Sequence, residues 1–208
     1  MTAMMTLHWS PLSPFVRKVM CVIHEHRLAD EVRCVRTKVS RHVPNPALLA
    51  INPLLRIPTL ELSNGAVLFD SVVICEYLDT LGNGASLYPQ QPDRRWQALR
   101  WQALGDGLCD TLILWRHERE RPEAQQQQDF LKASALKLAS TLQLLEHEVA
   151  QLDAVEYGIG HIAIGCALGY LAVRFDDLPW RDNYRQLARW QQGFEARESS
   201  RLSAPPQA

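Results

Sequence analysis

Ser10 and Ser13 stand in the run Ser10-Pro11-Leu12-Ser13-Pro14, at the end of a short strand-like stretch. The two residues between them give the spacing of a redox Cys-x-x-Cys pair. Serine hydroxyls form no disulfide, which argues against thioredoxin- or glutaredoxin-type exchange at this turn. Ser13 also suits a helix N-cap, with Pro14 at the first helical position, where a missing N–H costs nothing. The unpaired N–H groups and the dipole of a helix start favour an anion. Two readings therefore stay open: the Ser13 hydroxyl donates a hydrogen bond to a bound anion, or it only caps the helix. Asp70-Ser71 reads as the cap of a second helix.

Other side chains offer less. The five cysteines, Cys21, Cys34, Cys75, Cys109 and Cys166, lie apart, each beside apolar residues. Their odd number excludes a complete disulfide framework, and buried reduced thiols are expected. The seven histidines are scattered, and His24 and His26, two apart, do not share a helix face. No metal site is expected.

The elements that position these residues follow from periodicity. Thr6–Trp9 predicts a strand, and from Phe15 the pattern turns helical through Val16, Val19 or Met20, and Ile23. The alternating run 32–36 predicts a second strand. Ile57-Pro58 leads into a hairpin, Thr59–Leu62 and Val67–Phe69, turned by Ser63-Asn64-Gly65. A helix with Val72, Ile74, Tyr77, Leu78 and Leu81 follows. A parallel crossover followed by an antiparallel hairpin is the thioredoxin-fold order. Gly82–Asp93 carries glycines and prolines and reads as a linker.

Everything beyond is helical. One face is expected from Trp96, Leu99, Ala103, Leu108, Leu112 and Trp115, and another from Leu138, Leu142, Leu145, Val149 and Leu152. The stretch Ile159–Val173 is apolar all round, too short to span a membrane, and reads as the central helix. Its Gly165-x-x-x-Gly169 is expected to admit a close neighbour. A last helix is expected over about 183–197. The division is thus a thioredoxin-like α+β domain at 1–82, a linker at 83–93, and an all-α helical bundle at 94–208.

The chain has 208 residues, 47 % apolar and 22 % charged, with a formal net charge of -1. That is ordinary globular composition, with no basic excess for nucleic acid. The N-terminal residues lack the charged and apolar regions of a secretory leader, so a cytoplasmic protein without membrane attachment is expected.

Four segments in order resemble the cytosolic glutathione S-transferase family. They are Ser13-Pro14-Phe15-Val16-Arg17-Lys18-Val19, the run Asn52-Pro53-Leu54-Leu55-Arg56-Ile57-Pro58-Thr59-Leu60, the run from Phe69-Asp70-Ser71 to Tyr77-Leu78, and Ile162 to Leu171. Spread along the chain in the family's order, they make a resemblance that covers nearly the whole chain and looks most like small bacterial members with a Ser-Pro-Phe-Val-Arg-Lys start. The resemblance implies glutathione as co-substrate, a small hydrophobic electrophile as second substrate, a homodimer and a role in detoxification.

It also assigns roles. The free glutathione thiol ionises near ~8.5, so an enzyme must stabilise the nucleophilic thiolate. Ser13 is the implied stabiliser, and Ser10, where some bacterial members keep a cysteine, is the second candidate. Ile57-Pro58 looks like the family's cis-proline turn, in which the residue before proline pairs with the cysteinyl main chain. Asp70 and Ser71 match the pair that holds the γ-glutamyl end. Arg56, or less directly His42, faces the glycyl carboxylate. Trp9, Leu12, Asp106, Asp110, Ile113, Trp115 and Arg116 are implied liners of an electrophile pocket.

Two departures stand out. Leu55 replaces a residue that is frequently glycine, so the local loop is expected to differ. At the start of the core helix the usual Ser/Thr-x-x-Asp box is replaced by Gly158 and His161. His161 is not the usual reciprocal partner, so that start is expected to be weaker by about 1 kcal/mol or less. Two other functions fit the same motifs: a non-catalytic binding protein, and a glutathione-dependent lyase, reductase or isomerase.

Overall fold

The computed structural model describes residues 4–82 and 84–206. The expectations for residues 1–3 of the N-terminus and for Asn83 of the linker lie outside the described residues. The chain packs as two units: one runs to Pro89 and takes in the segment from Arg197 onward, and the other is Gln90–Ala196.

In the first unit, β1 (Met5–Trp9) and β2 (Val32–Arg36) pair in parallel, joined by helix α1 (Pro14–Glu25). On its other side β1 pairs antiparallel with β3 (Thr59–Glu61), which pairs antiparallel with β4 (Val67–Leu68). The order β2-β1-β3-β4 is the expected thioredoxin-like mixed sheet. Helix α2 (Pro46–Leu49) precedes β3, and α3 (Ser71–Leu81) follows β4. The hairpin turns on Gly65, at φ 85°, and the Leu62 N–H donates to the Ala66 carbonyl at 2.8 Å. That positive φ is open to glycine without strain. Met5 and Leu7 of β1, Val16, Val19, Val22 and Ile23 of α1, and Ile74 and Leu78 of α3 form the core.

The segment expected as a linker is held to this unit as far as Tyr88. Asp79 on α3 accepts hydrogen bonds from the Leu87 N–H at 2.6 Å, the Ser86 hydroxyl at 2.7 Å and His26 Nε2 at 2.8 Å. Leu87 and Tyr88 are buried as a result. A Cβ at Gly82 would overlap the His26 ring, so this glycine is what lets the ring reach Asp79.

The segment from Arg197, expected in the helical half, packs on α1 instead through α9 (Glu198–Leu202). The buried Arg17 donates to the Ser200 hydroxyl at 2.9 Å, and Arg197 pairs with the Glu25 carboxylate at 3.0 Å. A buried guanidinium needs such partners, and this returning segment brings one of them in Ser200.

The second unit contains α4 (Pro92–Arg119), α5 (Gln128–Asp153), α6 (Ile159–Arg174), the short α7 (Trp180–Asn183) and α8 (Arg185–Ala196). The expected stripe on α5 is buried throughout, and α6 is buried from Ile159 to Leu171. The stripe on α4 is corrected in its first half. Trp96 is 67 % exposed, and Ala98, Trp101 and Gly105 face inward ahead of Leu108, Leu112 and Trp115. Trp101 is the buried indole because its Nε1–H reaches Glu148 on α5 at 2.7 Å. Gly105 marks the contact with α6: a Cβ there would lie 2.5 Å from the Ala163 carbonyl carbon. Gly165 does admit a neighbour, the Phe194 ring of α8.

Two further expectations change. His161 does serve as the reciprocal partner: its Nδ1 accepts the Gly158 N–H at 3.1 Å. Its Nε2 then carries the proton and donates to the Leu152 carbonyl at 3.0 Å, tying the end of α5 to the start of α6. Among the cysteines, Cys34 is exposed, on the edge strand β2, while the other four are buried. No helix among the described residues is long and apolar enough to cross a membrane.

Candidate functional site

The sheet register brings the implied ligand residues to one end of the first unit. His8 of β1 lies opposite Thr59 of β3, so Ser10–Ser13, leaving β1, meet Ile57-Pro58, entering β3. β4 runs antiparallel to β3 with Leu68 opposite Leu60, so Asp70 and Ser71 emerge at the same end. β2 is parallel to β1 and ends there too, at Arg36 opposite Trp9. The segment that follows it carries His42, which is exposed. Both α1 and α3 begin at this end and present their N-termini.

Ser13 is the N-cap of α1, with Pro14 in the first turn. Its Oγ accepts the Val16 N–H at 3.3 Å, a bond that leaves the hydroxyl proton free to donate elsewhere. Ser10 Oγ receives only a long contact, 3.5 Å, from the Leu12 N–H. Asp70 caps α3, its Oδ1 accepting the Val72 N–H at 2.9 Å, and Ser71 beside it is 3 % exposed.

The Ile57–Pro58 peptide bond is cis, as the resemblance implied. The Ile57 side chain packs with Val16 and Leu48, and Trp9, Met20, Ile51 and Leu55 close the cluster. Leu55 is found at φ 51°, the left-handed region that glycine takes freely. The loop expected to differ at this position therefore keeps a glycine-like backbone. Arg56 is exposed on its tip. Two residues that sequence reasoning left without a role, Asn52 and Thr59, are fully buried here and hydrogen-bond to each other at 2.8 Å. An asparagine before proline in an apolar stretch was the available signal.

Of the implied electrophile residues, Trp9 belongs to the cluster around Val16, and Leu12 is exposed. The remaining five lie on α4. Trp115 is buried in the helical unit, its ring centroid 5.0 Å from that of Phe175. Arg116 pairs with Glu120 at 3.1 Å, Asp110 is exposed, and Asp106 and Ile113 are half-buried. Burial pushes the Tyr170 phenol up, against the pull of Arg116 and Arg174. Among the described residues no cluster of three or more histidine, cysteine or acidic side chains could hold a metal.

Residues 12–81 match the sequence profile of the glutathione S-transferase N-terminal domain. The chain is 30 % identical over 206 residues to the uncharacterised GST-like protein YibF of Escherichia coli, covering 98 % of this chain and all of that one. A glutathione transferase family member from Pseudomonas fluorescens, solved with bound glutathione, is 38 % identical with a TM-score of 0.94, over 98 % of this chain and all of that one. A glutathione S-transferase from Methylobacillus flagellatus, solved with glutathione bound, is 33 % identical with a TM-score of 0.87, over 97 % of this chain and all of that one. With the sheet, the helical unit and these relatives in agreement from end to end, the chain belongs to the glutathione S-transferase family, alongside its bacterial members.

Proposed function

We propose that this protein is a glutathione transferase that activates the glutathione thiolate for attack on a small hydrophobic electrophile. The observation that carries this reading is the state of Ser13. Its oxygen is engaged by the Val16 N–H, and its proton remains available at the open N-terminus of a twelve-residue helix. A thiolate placed there gains a charge-assisted hydrogen bond and the favourable end of the helix dipole. Both lower the thiol pKa, because they act on the charged form.

Asp70 and Ser71 then hold the γ-glutamyl end, the Ile57 main chain beside Pro58 pairs with the cysteinyl unit, and Arg56 or His42 meets the glycyl carboxylate. Trp9 and Leu12 are the contacts offered to the electrophile from this unit. A homodimer is part of the reading, supported by the exposed Trp96 and Leu114 on α4, apolar surface that a second copy would cover. So are a cytoplasmic location and a role in detoxification.

The test follows thiolate absorbance of bound glutathione against pH, in wild type and Ser13→Ala. The reading requires ionisation well below the free value of ~8.5 in wild type and loss of that shift in the variant. Binding with an unshifted thiol would instead mark a non-catalytic binding protein. A shifted thiol without conjugate formation would direct attention to lyase, reductase or isomerase chemistry.

A further inference from the structure

We propose that Asn52 and Thr59 are positioning residues for glutathione, acting through the peptide group between Arg56 and Ile57. The proposal rests on the glutathione-binding reading above.

Both side chains are fully buried, and their hydrogen bonds converge on one acceptor. Asn52 Nδ2 donates to the Arg56 carbonyl at 3.2 Å and to Thr59 Oγ1 at 2.8 Å. The Thr59 hydroxyl donates to the same Arg56 carbonyl at 2.8 Å. Asn52 Oδ1 accepts the Leu54 N–H at 3.0 Å, which fixes which way the amide faces. The Arg56 oxygen thus has both acceptor sites filled from the interior.

A trans peptide group is planar, and its C=O and N–H point in opposite directions. Among the described residues the cis peptide bonds are Ile57–Pro58 and Phe69–Asp70, so the Arg56–Ile57 bond is trans. Holding the Arg56 carbonyl inward therefore turns the Ile57 N–H outward. Among the described residues nothing accepts that N–H. The Ile57 side chain, packed against Val16 and Leu48, stops the plane from rolling about the chain. The result is an aimed, unpaired main-chain donor beside the thiolate-stabilising turn, ready for the carbonyl of an extended peptide such as the cysteinyl unit. Preformed aim of this kind raises affinity by removing the ordering of the loop on binding.

The experiment measures glutathione affinity by calorimetry for wild type, Thr59→Val, Thr59→Ser and Asn52→Ala, together with thermal unfolding and the pH titration of the bound thiol. Thr59→Val keeps the shape but loses the hydroxyl, and is expected to weaken glutathione about tenfold, as loss of aim in one hydrogen-bonding group allows. Thr59→Ser keeps the hydroxyl and should stay within about twofold of wild type. In Thr59→Val the thiol that still binds should ionise as in wild type, because Ser13 is untouched. A fold loosened in general would shift both affinity and ionisation. The proposal falls if Thr59→Val binds within twofold of wild type, or if Thr59→Ser loses as much as Thr59→Val. Should Asn52→Ala fail to fold, the two Thr59 variants decide. Wild type without any glutathione binding would overturn the functional reading itself, and this proposal with it.

Discussion

Ile57 and Val16 belong with Leu48 to one buried apolar cluster, and Val16 is the residue whose N–H the Ser13 hydroxyl accepts. The turn that would anchor glutathione and the helix start that would ionise it therefore share one apolar cluster. A change at the helix start is expected to reach the anchoring turn through it.

Replacing Val16 by alanine tests that coupling. Deleting buried methyl groups at a 1 % exposed position should cost about 2 kcal/mol in urea unfolding. Affinity for glutathione should fall as well, whereas the equally buried Val22→Ala, farther along α1, should cost similar stability and leave affinity alone. Equal affinities in the two variants would remove the coupling.

Leu55 allows a sharper test of backbone strain. At φ 51° a β-branched side chain is poorly tolerated, so Leu55→Ile should destabilise by about 1–2 kcal/mol although volume and polarity are conserved. Such a swap in a relaxed core site usually costs less than that. Urea midpoints with an unchanged m-value give the answer.

His161 joins two helices with two different nitrogens, so its substitutions should separate the two bonds. His161→Ala leaves the Gly158 N–H and the Leu152 carbonyl without this partner and should cost about 2–3 kcal/mol. His161→Asp restores an acceptor for Gly158 but offers no donor to Leu152, and should recover only part of that loss. Full recovery by aspartate would show that the Leu152 bond contributes nothing.

His24 sets a pH dependence. Burial holds its imidazole below the ordinary range, and Glu198 pulls partly the other way. The unfolded chain takes up this proton near pH ~6.5, the folded chain only at lower pH. As pH falls through that window the unfolded state binds more protons, and stability declines until the folded ring also titrates. Unfolding free energies at pH 7.5 and 5.5 should therefore differ less in His24→Gln than in wild type. An identical difference would assign the acid sensitivity elsewhere.

Local signals were legible where one residue type has one reason to be present. Ser13-Pro14 and Asp70 are caps, Gly65 turns a hairpin, and the leucines of α5 repeat at helical spacing, so these elements stood out in the sequence. The α4 face was misread at Trp96 because hydrophobicity alone does not choose between tryptophans. The buried one, Trp101, is selected by Glu148 on another helix, a partner invisible to periodicity. Leu55 and His161 were misjudged for a related reason. Each was read as a departure from a motif, yet the backbone at Leu55 and the ring at His161 meet the same geometric demand with different chemistry. Asn52 and Thr59 could be quoted from the sequence, but their role lies in which carbonyl they share. No spacing rule carries that information.

The return of the segment after Ala196 to α1 makes the thioredoxin-like unit discontinuous in sequence, with the helical unit, in topological terms, an insertion within it. Arg17 and Glu25 find Ser200 and Arg197 183 and 172 residues further along the chain, so α1 can gain these partners only after the helical unit has been synthesised.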